Sequence, residues 1–175
     1  MTNSKSKFFP VMITVIILFI VIFLFANLKQ SNVTCTKRST DDLDITIVEK
    51  LDATLDGNKI WELKLTKTII LPNKYLIDDD KYLEYIKTII QKSYAYLGKG
   101  KVKFSKLTDR LIVYVEVKDG ETLILNNIDF IDEDDLVIKI NPNTKSSEVV
   151  TLKVSDNYTE GELMTHLKNN GYSCG

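Results

Sequence analysis

Few residues in this chain combine the types and spacing that chemistry requires. There are two cysteines, Cys35 and Cys174, and a single histidine, His166. A nucleophilic thiol needs a base, and His166 is the only imidazole that could serve either cysteine. Two thiols without further histidines also make a poor metal set. Two acidic runs invite a cation reading. Asp78-Asp79-Asp80 directly precedes a helical pattern, where negative charge suits the helix dipole. Asp129 to Asp135 lacks the glycine and the ligand spacing of a calcium loop, and reads as a surface loop or helix start. Lys99, Lys101 and Lys103 alternate with the apolar residues of a strand that Val102 and Phe104 start. That puts them on a water face, where they would touch anionic lipid head groups or a cell-wall polymer, or only discourage edge pairing. No Gly-rich phosphate loop, Cys-His dyad or nucleophile elbow occurs. The expectation is a chain that is not an enzyme, with no catalytic residue, no cofactor and no metal ligand. Two carboxylates meeting from distant parts of the chain, as in glycosidases, are the enzymatic alternative.

The elements that position these residues begin with an apolar rod. Phe8 to Leu28 is a run of 21 residues without a charge, about 31 Å long as a helix and close to the thickness of a bilayer core. A cleaved signal peptide would have a shorter apolar core and a small-residue cleavage site, and Phe25-Ala26-Asn27 fits that poorly. A lipoprotein signal would place small residues before the lipidated cysteine, whereas Asn32-Val33-Thr34 precedes Cys35. An uncleaved, single-pass signal anchor is expected over 8–28, after a cytoplasmic tail over 1–7. Lys5 and Lys7 lie before the span and Lys29, Lys37 and Arg38 after it, so the positive-inside rule is nearly balanced. The short tail and the cysteines favour the N-terminus inside and the body outside. The cysteines bracket that body, and a disulfide between them would close a loop of about 140 residues and contribute roughly 5 kcal/mol. It would form only in an oxidising compartment; two unrelated free thiols are the alternative.

All 24 acidic residues and 21 of the 23 basic ones follow the span, so the body carries a net charge of −3. That argues against nucleic acid as a partner, because phosphate binding needs a basic surface. Gln30 to Asp42 is polar and reads as a linker, closing a linker segment over 29–42 with the folded body at 43–175. Leu43, Ile45, Ile47, Leu51, Ala53 and Leu55 keep a two-residue period, and Trp61, Leu63, Leu65 and Ile69 continue it after the Asp56-Gly57-Asn58 turn, which predicts a hairpin. Leu83, Ile86, Ile90, Tyr94 and Leu97 predict a helix that Gly98 and Gly100 stop. Val102, Phe104 and Leu111 to Val117 predict a second strand pair. Leu123 to Leu125 suggests a short strand or helical turn, and Leu136 to Ile140 and Val149 to Val154 suggest strands. Thr159-Glu160-Gly161-Glu162 has the form of a capping box before a last helix, which Gly171 ends. His166 falls on this helix as an exposed residue. Asn32 and Asn157 stand in glycosylation sequons.

The order predicts an α+β fold, a loose ββα–ββα arrangement with two helices on one face of an antiparallel sheet. Thr34-Cys35-Thr36-Lys37 after a membrane segment, a strand hairpin, and a final helix running into Gly171-Tyr172-Ser173-Cys174 resemble small extracytoplasmic proteins of low-GC Gram-positive bacteria, similar to the YehR-like lipoproteins. The resemblance implies a body outside the membrane and supplies no catalytic residue, and that family's molecular role is not established. The functional expectation is a membrane-anchored, non-enzymatic binding or envelope module. Its partners would be the membrane itself and an envelope protein or cell-wall polymer. A structural subunit of a membrane complex is the alternative, weakened by the absence of a Gly-x-x-x-Gly face in the span.

Overall fold

A computed structural model describes residues 8–27, 30–76, 81–133, 135–142 and 150–175. It is an α+β fold with three helices, divided into two compact units, 1–30 and 31–175. The first unit is helix α1, Phe8–Asn27. Its ten side chains from Met12 to Val21 are all exposed, Phe19 most of all at 69%. Among the residues whose side chains are described, no helix is long and apolar enough to cross a membrane; in α1 those side chains cover only these ten positions. Lys5, Lys7, Leu28 and Lys29 lie outside the described residues.

The second unit is built on a six-stranded sheet in the order β10-β1-β2-β3-β5-β4. Its strands are β1 (Gln30–Thr40), β2 (Thr46–Asp56), β3 (Lys59–Ile70), β4 (Val102–Lys106), β5 (Arg110–Val117) and β10 (Ser173–Cys174). The expected β2–β3 and β4–β5 hairpins form, and both belong to this one sheet. Helix α2, Lys81–Ser93, follows the predicted apolar stripe, burying Leu83, Ile86 and Ile90. Helix α3, Glu160–Asn169, starts on the predicted capping box: Thr159 Oγ1 accepts from the Glu162 N–H, and the Glu162 carboxylate accepts from the Thr159 N–H. Leu163 and Leu167 of α3 join one apolar core with the α2 residues and the inward residues of the sheet. Between β5 and α3 lie two short ladders, β6 (Thr122–Ile124) with β9 (Thr151–Lys153), and β7 (Asn126–Glu133) with β8 (Asp135–Pro142).

Four expectations are corrected. The segment read as a linker over 29–42 holds strand β1: Val33 and Cys35 are fully buried one residue apart, and two inward residues suffice when a neighbouring strand and a disulfide hold the rest. The described residues of the acidic run, 129–133 and Asp135, lie on the β7–β8 hairpin, not in a loop or helix start, because Ile128 and Phe130 bury on one side while Asp129 faces out; Asp134 lies outside the described residues. Trp61 does not continue the inward series of β3. A register shift opposite Thr54 and Leu55 leaves Trp61 without a cross-strand partner, so Ile60 is buried in its place and Trp61 is 56% exposed. The ββα–ββα repeat is not seen as such, since two extra ladders separate β5 from α3.

Candidate functional site

Strands alternate their side chains between faces, so the core-facing residues of β2, β3 and β5 dictate what points the other way. With Leu51, Ala53, Leu63, Leu65, Val113 and Val115 inward, the outward residues beside them are mostly polar. Register places them in rows. Lys50, Thr66, Tyr114 and Lys103 stand side by side in one row. Asp52, Lys64 and Glu116 form the next, where the Glu116 N–H donates to the Lys101 carbonyl. The rows cross β2, β3, β5 and β4, about 14 Å at the usual strand spacing. All of these residues but Lys50 line a groove of about 520 Å³, whose charged walls are Lys64, Lys101, Lys103 and Lys118 with Asp52 and Glu116.

Three of the groove's ammonium groups, those of Lys64, Lys101 and Lys118, are held by carboxylates. Glu62 accepts from Lys64 at 2.8 Å and pairs with Lys118 at 2.6 Å, its own side chain only 14% exposed while those of Lys64 and Lys118 are 51% and 44% exposed. Burial alone would raise the Glu62 carboxyl, but the Lys118 and Lys64 contacts outweigh it and hold it at about 2. Hydrogen bonds that Lys118 donates to Glu116 and Glu62 hold its ammonium well above the ordinary lysine range. Lys101 pairs with Glu121 at 2.8 Å, and Asp52 accepts from Thr34 Oγ1 at 2.6 Å and pairs with Lys50.

A second polar constellation lies on the inner face. Glu49 and Lys67 are cross-strand partners at core positions of β2 and β3, and their side chains meet at 2.6 Å with 9% and 2% exposure. The Tyr172 hydroxyl donates to the other Glu49 oxygen at 2.5 Å, and the Lys37 ammonium lies 5.7 Å from the Tyr172 ring centre. Burial works against both charges, yet the attraction between them prevails: Glu49 is held below, and Lys67 above, its ordinary value. Burial pushes the Tyr94 and Tyr172 hydroxyls up, and the Glu49 charge adds to this. These groups are closed off from solvent, so their chemistry is cohesive: they fasten the C-terminal tail to the sheet.

The same tail carries the disulfide. Cys35 of β1 and Cys174 of β10 face each other in the ladder and are joined, as the expected pairing requires. With both sulfurs bonded, His166 has no thiol to activate. It is half-buried, not exposed as expected, with its ring 5.8 Å from that of Tyr158, because α3 turns that side toward the segment after β9. Of the lysine row, Lys101 and Lys103 reach the groove while Lys99 is an exposed turn residue. Asp78, Asp79 and Asp80 lie outside the described residues, and among the described residues no three His, Cys, Asp or Glu side chains are grouped to hold a metal.

Sequence reasoning missed Lys64, Tyr114, Glu116 and Lys118 as groove residues. Their two-residue phase was visible, but the strand order that brings them beside Lys101 and Lys103 was not. It also missed Glu49 and Lys67, although each interrupts an apolar series (Ile45, Ile47, Leu51; Leu63, Leu65, Ile69) with opposite sign, which is the signature of an inward pair. No protein-family model, curated protein or solved structure matches this chain.

Proposed function

We propose that the chain is a membrane-anchored extracytoplasmic protein that works by binding, not catalysis, and that its site is the outer-face groove of the six-stranded sheet. The uncharged segment from Phe8 to Leu28 supports the anchor. So does the exposure of every side chain from Met12 to Val21, an apolar surface that water disfavours and lipid accepts. The disulfide supports an oxidising compartment, hence the body outside and the N-terminus within. The resemblance of the terminal motifs to those of the YehR-like proteins points the same way.

The observation that carries the binding role is the groove itself: half-exposed lysines held in place by recessed carboxylates around an exposed aromatic, Tyr114. Fixing long side chains before the ligand arrives lowers the ordering cost of association. An envelope component is the ligand the location offers. The test is co-sedimentation of the detergent-solubilised full chain with insoluble cell-wall material. Retention by the wild type that Tyr114→Ser and Lys103→Glu each weaken supports the reading. A chain that stays in the supernatant overturns it.

A further inference from the structure

We infer that the groove receives an anionic polymer, a flexible chain bearing repeated phosphate or carboxylate groups, with Lys103 and Lys64 as its main contacts and the exposed Tyr114 on the strand between them. The inference rests on the binding role proposed above and adds the ligand's chemistry. Charge is its first support. The chain's net charge is −1, while the groove lining holds four lysines against two acids. Glu62 pairs with Lys64 and Lys118, Glu116 also pairs with Lys118, and Glu121 pairs with Lys101. Lys103 is exposed and makes no ion pair among the described residues, which leaves its charge for an incoming anion.

Shape is the second support. Lys103 and Tyr114 are direct cross-strand partners, and Lys64 lies opposite Glu116 one row along. The cations are thus spread over β3, β5 and β4 instead of converging on one point, an arrangement that suits successive charges on a chain better than a single ion. A recess of about 520 Å³ also suits an extended polymer that can lie within it better than a flat layer of head groups.

The experiment uses the full chain in zwitterionic-lipid nanodiscs and four probes: labelled inorganic polyphosphate, polygalacturonate, neutral dextran, and vesicles containing phosphatidylglycerol. Binding is read by anisotropy or co-flotation at several salt concentrations. Binding of either soluble polyanion, with affinity falling as salt rises, supports the inference, and whichever binds more tightly names phosphate or carboxylate as the repeated group. Lys64→Glu and Lys103→Glu should each lower the affinity about tenfold, the effect of reversing a directly contacting charge. Lys103→Gln should give a smaller loss in the same direction. Lys153→Glu, on β9 outside the groove, should leave it within about twofold. Equal losses at Lys153, binding to the vesicles alone, or equal binding of dextran would overturn the polyanion assignment. If cell-wall retention persists while no soluble polyanion binds, the ligand class is wrong and the binding role stands. If both fail, both fall.

Discussion

Replacing Lys67 with methionine tests the inner-face network most sharply. Lys67 is fully enclosed, and its ammonium offsets the Glu49 carboxylate at 2.6 Å. Methionine fills a similar volume without charge, so Lys67→Met leaves a buried carboxylate with the Tyr172 hydroxyl as its remaining short contact. Stranding one partner of a buried pair costs about 3–5 kcal/mol, a large share of a typical total stability of roughly 5–15 kcal/mol. For a body of this size that corresponds to a fall in Tm of about 10–15 °C. The double variant Glu49→Leu/Lys67→Met removes both charges and should recover to within about 1 kcal/mol of the wild type, because a well-filled apolar site often equals a buried ion pair. Urea denaturation of the detergent-solubilised chain, followed by far-UV circular dichroism and Trp61 fluorescence, gives the four corners of the cycle. A single variant that costs less than about 1 kcal/mol, or a double variant no better than the single, would refute the reasoning.

Three further expectations follow from the same contacts. The pair also sets a pH window. Glu49 is held below its ordinary value of 4.5, so its contribution is complete above that pH and is lost as pH falls through the folded value. Lys67 is held above 10.5, so its contribution is complete below that pH and is lost as pH rises through the folded value; Tyr94 and Tyr172, both raised, add to the alkaline loss. The wild type should therefore lose stability relative to the double variant on both flanks and not between, as pH-dependent melting would show. Tyr172→Phe, which takes the hydroxyl from Glu49, should cost about 1–3 kcal/mol in urea. Cys174→Ser, which opens a loop spanning 139 residues, should cost up to roughly 5 kcal/mol, and adding reductant to the wild type should reproduce that loss.

The locally encoded parts of the fold were legible. The β2–β3 and β4–β5 hairpins carry two-residue periods bounded by turn residues, α2 carries a 3.6-residue stripe, and α3 begins on a complete capping box. What escaped depends on partners far away in sequence. Strand β1 reads as polar linker because only Val33 and Cys35 face inward, and its place comes from β2 and from β10 at the other end of the chain. Trp61 reads as core because large aromatics bury readily, and only a one-residue register shift turns it out. The groove was half visible: Lys101 and Lys103 stood out, but their neighbours Lys64 and Tyr114 belong to strands whose order no local pattern states.

The proposed function requires a membrane anchor at Phe8 to Leu28 and a body outside that membrane. The direct measurement is labelling of intact cells expressing the full chain with a membrane-impermeant maleimide, before and after reductant. Cys35 and Cys174 should resist labelling until reductant opens their bond, and Cys174, the less buried of the two, should then label in unbroken cells. Labelling that needs no reductant, or that appears only after lysis, would contradict it.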